Sequence, residues 1–191
     1  MTKKETKEKR MEDIILAAVD EFMEKGYERA SMDSIAFRAG VSKGGVYYHF
    51  QSKDEILLAA NQKLSEPVYE MISKAKTLSS ARQSLSLYIR EYLTYWNGHK
   101  KELHFFFLSL SKILNWPEVW PLYQEYTESL LAFMEGEFQK GIQAGELAEQ
   151  EPRAAALVLL STLDGVLGYL GMNKDLSVEE VIKLLEDRLI R

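Results

Sequence analysis

The stretch VSKGGVYYHF, residues 41–50, sets two glycines beside a lysine, two tyrosines and a histidine. Each glycine in a helix costs roughly 1 kcal/mol relative to alanine, so a merely decorative surface helix gains nothing from a pair of them. The helical pattern leading into the stretch argues against a strand. Ser42 can cap a short helix on which Val46 and Phe50 stand one turn apart and face inward. Lys43 with Tyr47, and Gly44 with Tyr48, then fall at i,i+4 on the sides left open. That open side carries a hydroxyl, an ammonium, bare backbone, two phenols and an imidazole. These are hydrogen-bond donors beside a place where another molecule can approach the main chain. Phosphate oxygens need donors, and helix N-termini attract anions, so the chemistry suits a polyanion.

The flanking sequence gives this short helix a partner. Ile14, Ile15, Ala18 and Phe22 recur at helical spacing, and Gly26 stops that helix. Ser31 caps a second, short helix carrying Ile35, Ala36 and Ala39, which Gly40 ends. Two short helices joined by AGVS have the arrangement of a helix-turn-helix, with residues 42–50 as the recognition helix. Ser52 and Glu55 make a capping box for a longer helix through Ile56, Leu57, Ala60 and Leu64, which continues beyond Pro67.

After about Thr77 the character changes. Ser80 and Gln83 open a helix containing Tyr88, Tyr92, Tyr95 and Trp96, which NGHKKEL breaks. The apolar run LHFFFLSLSKIL leads to Trp116 and Pro117, and a long helix extends from about Glu118 to Gly145. An apolar helix from Ala154 to Met172 follows, and Ser177 with Glu180 opens a last one running to Arg191. The expectation is an all-α protein of about nine helices. Residues 1–53 form the helix-turn-helix domain, helix 54–77 connects, and residues 78–191 form a larger domain.

The 191 residues include no cysteine, which excludes disulfides and thiolate metal sites and suits a reducing cytoplasm. The net charge of −5 is unevenly spread: residues 1–53 hold 10 Lys/Arg against 9 Asp/Glu, and the rest hold 14 against 20. Basic residues cluster near the recognition stretch (Arg38, Lys43, Lys53) and at Lys3, Lys4, Lys7, Lys9 and Arg10, so a local basic face is compatible with an acidic whole. Asp164 interrupts the apolar segment 154–172, favouring a helix buried against protein over a membrane span.

The residues ILAAVDEFMEKGYERASMDSIAFRAGVSKGGVYYHFQSKDEIL resemble the DNA-binding domain of TetR-type transcriptional repressors. The matches are Ala17–Ala18, Phe22, Lys25–Gly26–Tyr27, Ile35–Ala36, Ala39–Gly40–Val41–Ser42, Tyr47, His49–Phe50 and Lys53. The resemblance implies a double-stranded DNA operator as partner. It implies that Ser42, Tyr47, Tyr48, His49 and Lys53 hold phosphates, while Lys43 and Gly44 read base edges, lysine pairing best with guanine. Ser31 is a further candidate, as a cap beside the DNA. Gly45 is also a DNA-binding candidate, although it departs from the usual small polar or methyl-bearing residue, as Met32 does from the usual threonine.

Such repressors also bind a small effector and dimerise through the C-terminal domain. Tyr88, Tyr92, Trp96, Phe105, Phe106, Trp116, Trp120, Tyr123 and Phe133 are candidates to line a site for a hydrophobic effector. Leu157, Gly165, Gly168, Leu184 and Leu185 are candidates for a homodimer interface. His99 and His104, five apart, share no helical face, and no nucleophile–base set or phosphate loop is evident. No metal, cofactor, membrane partner or enzymatic activity is therefore expected. The competing expectation is an all-α small-molecule carrier with no DNA role.

Overall fold

The computed structural model describes residues 3–172 and 176–191, with side chains from residue 7 onward. The side chains of Lys3 and Lys4 lie outside the described residues. The described residues form α1 (Lys3–Lys25), α2 (Met32–Arg38), α3 (Lys43–His49), α4 (Lys53–Ala75), α5 (Ala81–Gly98), α6 (Lys100–Ile113), α7 (Trp120–Gln143), α8 (Pro152–Met172) and α9 (Val178–Arg188). A 3-10 turn at Pro117–Val119 precedes α7, and no strand occurs among the described residues. The last helix ends at Arg188, short of the expected Arg191, and Pro67 sits within α4 without ending it.

The chain divides into two compact units, residues 1–66 with 104–111, and residues 67–103 with 112–191. In the first unit Ile14, Ala18 and Phe22 of α1, Ile35 and Ala36 of α2, Val46 of α3 and Ile56 and Leu57 of α4 form one buried cluster. Burying each large side chain of this kind contributes roughly 1.5–3 kcal/mol. Gly40 adopts φ +64, a left-handed turn that ends α2 and that an L side chain rarely takes. Its turn lets Val41 N–H donate to the Ala36 carbonyl at 3.0 Å, fixing the α2–α3 connection.

Polar clasps reinforce this packing. Glu21, 1% exposed, accepts from Arg38 Nε at 2.9 Å and pairs with Lys25. Arg38 also holds Glu24, through Nη1 at 2.9 Å, so α1 and α2 are tied by a charged network. Removing one partner of such a buried pair costs more than the pair gains, because the other charge is stranded. Tyr27 packs with its ring centroid 5.2 Å from that of Phe22, the rings tilted by 42°, and donates to Asp54 at the start of α4. In the same unit, buried Ser109 of α6 donates to Asn61 Oδ1 at 2.8 Å.

In the second unit α5 buries Leu85, Tyr88, Ile89, Tyr92, Leu93 and Trp96, α7 buries Leu130, Phe133, Met134 and Phe138, and α8 buries Leu159, Leu163 and Leu167. Gly141 on α7 is required for close packing: a Cβ there would stand 2.5 Å from Leu147 Cδ1 and 3.1 Å from Ala81 Cβ. Ser80 Oγ accepts from Gln83 N–H at 3.3 Å and Ser177 Oγ from Glu180 N–H at 3.3 Å, so both serines cap as their spacing suggests. The Ser52 cap is modified. Glu55 N–H donates to Ser52 Oγ at 3.2 Å, but the Glu55 carboxylate accepts from Gln51 N–H at 2.7 Å rather than from Ser52.

Candidate nucleic-acid interface and effector site

Helix α3 is anchored from below and open above. Val46 is fully buried and Phe50 5% exposed, while Tyr48 is 72% exposed. Ser42 caps the helix, its Oγ accepting from Gly45 N–H at 3.1 Å. Lys43, Gly44 and Tyr47 are all exposed on the outer side. The two glycines are not equivalent. A Cβ at Gly44 meets nothing within 4 Å, so its bare backbone faces open space. A Cβ at Gly45 would press on Ser42 Oγ at 3.3 Å, so Gly45 is explained by the cap it donates to.

Several candidates are occupied within the unit. Ser31 caps α2 in a reciprocal box: its Oγ accepts from Ser34 N–H at 3.1 Å, and its own N–H donates to Ser34 Oγ at 3.0 Å. Lys53 reaches the carbonyls of Tyr27 at 2.8 Å, Glu28 at 3.3 Å and Ala30 at 3.3 Å, and its ammonium lies 4.3 Å from the Tyr27 ring centroid. With its N–H groups turned to carbonyls, Lys53 braces the turn before α2 and reaches an anion mainly through its field. Arg38 is likewise committed to Glu21 and Glu24. The basic face is thus narrower than the sequence count implies, because acids and carbonyls from other elements claim part of it.

His49 is half-buried, with Nδ1 shielded and without a protein partner, and its ring packs at 4.9 Å against Tyr48. Burial first, then Lys7 and Arg10, lower its pKa below 6.5. The shift favours the neutral ring, which offers a single N–H. Lys7 lies 5.6 Å from the Tyr48 ring centroid, which brings the start of α1 to the outer side of α3. Lys43 is held by a residue that sequence reasoning missed: its ammonium stands 2.8 Å from Asp33 Oδ1 and 3.0 Å from Oδ2. That carboxylate raises the lysine pKa and keeps it fully charged. Ten residues separate the two, and no local spacing announces the pair; it exists only because α2 and α3 cross.

The effector candidates separate into three groups. Tyr88, Tyr92, Trp96 and Phe133 form one continuous buried run in the second unit. Ring centroids lie 5.6 Å apart for Tyr88–Tyr92, 5.3 Å for Tyr88–Phe133 and 6.2 Å for Tyr92–Trp96. Tyr123 and Trp116 are half-buried and Trp120 is 45% exposed. Phe105 and Phe106 lie apart from this run: Phe105 is buried in the core of the first unit, and Phe106 lies in that unit at 5.4 Å from Phe107. Helical position alone could not assign them, since α6 contributes to both units.

The aromatic run has a polar side. Tyr88 is fully buried and its hydroxyl has no protein partner. Asp164 retains solvent exposure, yet burial raises its carboxyl to about 6, opposed by a hydrogen bond from Tyr92. On α8 and α9, Leu157 is 54% and Leu184 59% exposed, and a Cβ added at Gly165 or Gly168 would meet nothing within 4 Å. Leu185, by contrast, is buried within the chain at 8% exposure.

A comparison with known families matches residues 14–60 to the DNA-binding segment of bacterial regulatory proteins of the tetR family. Residues 14–60 are a tetR-family segment. The chain is a DNA-binding transcriptional regulator, and its all-α fold is that of solved TetR-type regulators. It is 28% identical over 169 residues to the fatty acid metabolism regulator protein of Bacillus subtilis, covering 84% of this chain and 82% of that one. The transcriptional repressor BepR of Brucella suis is 27% identical over 175 residues, 87% of this chain and 82% of BepR. Among solved structures, FadR of Bacillus subtilis in complex with stearoyl-CoA superposes with a TM-score of 0.79 at 24% identity, covering 93% and 96% of the two chains.

Proposed function

We propose that the protein is a homodimeric repressor that holds its operator through the outer face of α3 and releases it when an acyl-CoA thioester binds. The observation that carries the reading is α3 itself. It has a buried side fixed by Val46 and Phe50, and an exposed side of Lys43, Gly44, Tyr47 and Tyr48. Such a helix can lie in a major groove, with phenols on phosphates and a lysine among base edges. The fatty acid regulator and the stearoyl-CoA complex of FadR support an acyl chain as the effector's hydrophobic part. The buried run of Tyr88, Tyr92, Trp96 and Phe133 supplies apolar surface of that kind. BepR supports repression.

Exposed Leu157 and Leu184, with the side-chain-free positions Gly165 and Gly168, give α8 and α9 a face suited to a two-fold contact. A dimer presents two copies of α3, as paired half-sites require. The effector acts by favouring a state in which their separation no longer matches the operator. The protein works in the cytoplasm, binds DNA and effector without cofactor or membrane, and catalyses no reaction.

The test is a titration of a labelled duplex from the gene's own upstream region with the purified dimer, with and without stearoyl-CoA. Retention that stearoyl-CoA abolishes and free coenzyme A does not is the expected result. A folded dimer that retards no upstream fragment supports a carrier instead. Retention unchanged by acyl-CoA of any chain length refutes the effector class.

A further inference from the structure

An exposed carboxylate beside the base-reading lysine is an odd feature for a surface that meets a polyanion. Asp33 stands in the first turn of α2, and its two oxygens lie 2.8 and 3.0 Å from Lys43 Nζ at the start of α3. The side chains are 64% and 61% exposed. An ion pair in that much water adds little to stability, so the fold does not need it and it opens at little cost. Facing phosphate, Asp33 is repelled, and it cancels the attraction of the cation nearest to it. The carboxylate is welcome in the major groove only where a base presents an amino group.

The G·C pair offers both partners side by side, with two acceptors for the ammonium where A·T has one beside its amino group. The major-groove edge of G·C carries two acceptors, guanine O6 and N7, next to one donor, the cytosine N4 amino group. An ammonium and a carboxylate held about 3 Å apart match that order. An A·T pair in the same place sets the adenine N6 amino group against the ammonium and thymine O4 against the carboxylate, so each charge meets a group of the wrong kind. We propose that Lys43 and Asp33 act as one reader of a single G·C pair in each half-site, Lys43 donating to guanine and Asp33 accepting from cytosine N4. The inference rests on the reading that α3 enters the major groove. Asp33 thus contributes specificity twice, by its contact with cytosine and by making Lys43 a poor phosphate ligand anywhere else.

The test is selection of sites from a randomised duplex library with the full-length protein, its Lys43→Ala variant and its Asp33→Asn variant. Wild-type protein is expected to enrich a motif with a fixed G·C pair in each half-site. Both variants are expected to flatten that same position, lowering its preference from about tenfold to near parity. Asp33→Asn is also expected to bind a scrambled duplex more tightly and to steepen the salt dependence, log K against log[salt], by up to about one unit. A merely structural pair leaves the G·C preference unmoved, because loss of an acidic charge tightens binding to any duplex whatever its role. Should Asp33→Asn lose helix content, Asp33→Ser carries the same comparison. An unchanged G·C preference in Asp33→Asn, with all duplexes bound more tightly, overturns the inference and leaves the α3 reading standing. A folded wild type that enriches no motif overturns both.

Discussion

Gly44→Ala separates what a helix needs from what a DNA contact needs. The position is exposed, its φ is not in the left-handed region, and an added Cβ meets nothing within 4 Å. Alanine therefore fits without strain and removes the conformational cost of glycine. In the first turn of a helix only seven residues long, that gain is about 0.5–1 kcal/mol. For a chain of 191 residues this raises the melting temperature by about 1–4 °C. The same methyl stands where the backbone is to approach DNA, and losing one close contact there costs about 1 kcal/mol, a five- to tenfold weaker complex. Thermal denaturation gives the first quantity and fluorescence anisotropy with a cognate duplex the second. Gly45→Ala is the control: its Cβ crowds Ser42 Oγ at 3.3 Å, so its stability gain is smaller or absent. A Gly44→Ala protein that is more stable and binds the duplex as tightly as wild type refutes close backbone approach as the reason for the glycine.

Lys53→Met removes an ammonium shared by three carbonyls and is expected to lower stability by about 1–3 kcal/mol in urea titration, with uniformly weaker binding to cognate and scrambled duplexes. Unchanged stability contradicts its bracing role. Gly141→Ala forces a Cβ against Leu147 and Ala81 and is expected to cost about 1–3 kcal/mol, read by the same titration. Tyr88→Phe deletes a buried hydroxyl without a protein partner and is expected to leave the free protein as stable or more so while weakening the response to effector; a marked loss of stability contradicts this. Asp164→Asn tests the raised carboxyl pKa. An acid whose folded pKa, about 6, exceeds its unfolded value penalises the folded state once ionised. That penalty is full above pH 6 and vanishes toward about pH 4. The variant should therefore melt higher than wild type at about pH 7.5, with the difference shrinking as pH falls through 6; a difference independent of pH contradicts it.

Much of the first unit was legible because its signals are local. Ser31, Ser42 and Ser52 precede helices by the spacing a cap requires, and Gly26 and Gly40 take the left-handed φ that ends them. The inward residues Ile14, Phe22, Ile35, Val46 and Phe50 follow the 3.6-residue period and do form one core. What the sequence concealed is contact between helices. The claims of Glu21 on Arg38, of three carbonyls on Lys53 and of Asp33 on Lys43 join residues ten or more apart. No periodicity encodes them. In the second unit the aromatic stripe on α5 was visible as a stripe. Yet period alone gave Phe105 the same face value as Phe133, and only the packing of α6 assigns it to the other core. Leu185 and Leu184 are adjacent and chemically identical, and α9's rotation buries one and exposes the other.

Reading of DNA sequence by α3 through Lys43 is the central claim. The decisive measurement is the ratio of dissociation constants for a selected operator and a scrambled duplex of equal length, in wild-type protein and in Lys43→Ala, at one fixed salt concentration. A wild-type ratio of about a thousandfold or more is expected, falling by about tenfold or more in the variant, mostly through weaker operator binding. Equal affinity of the folded wild type for both duplexes, or a ratio untouched by Lys43→Ala, contradicts it.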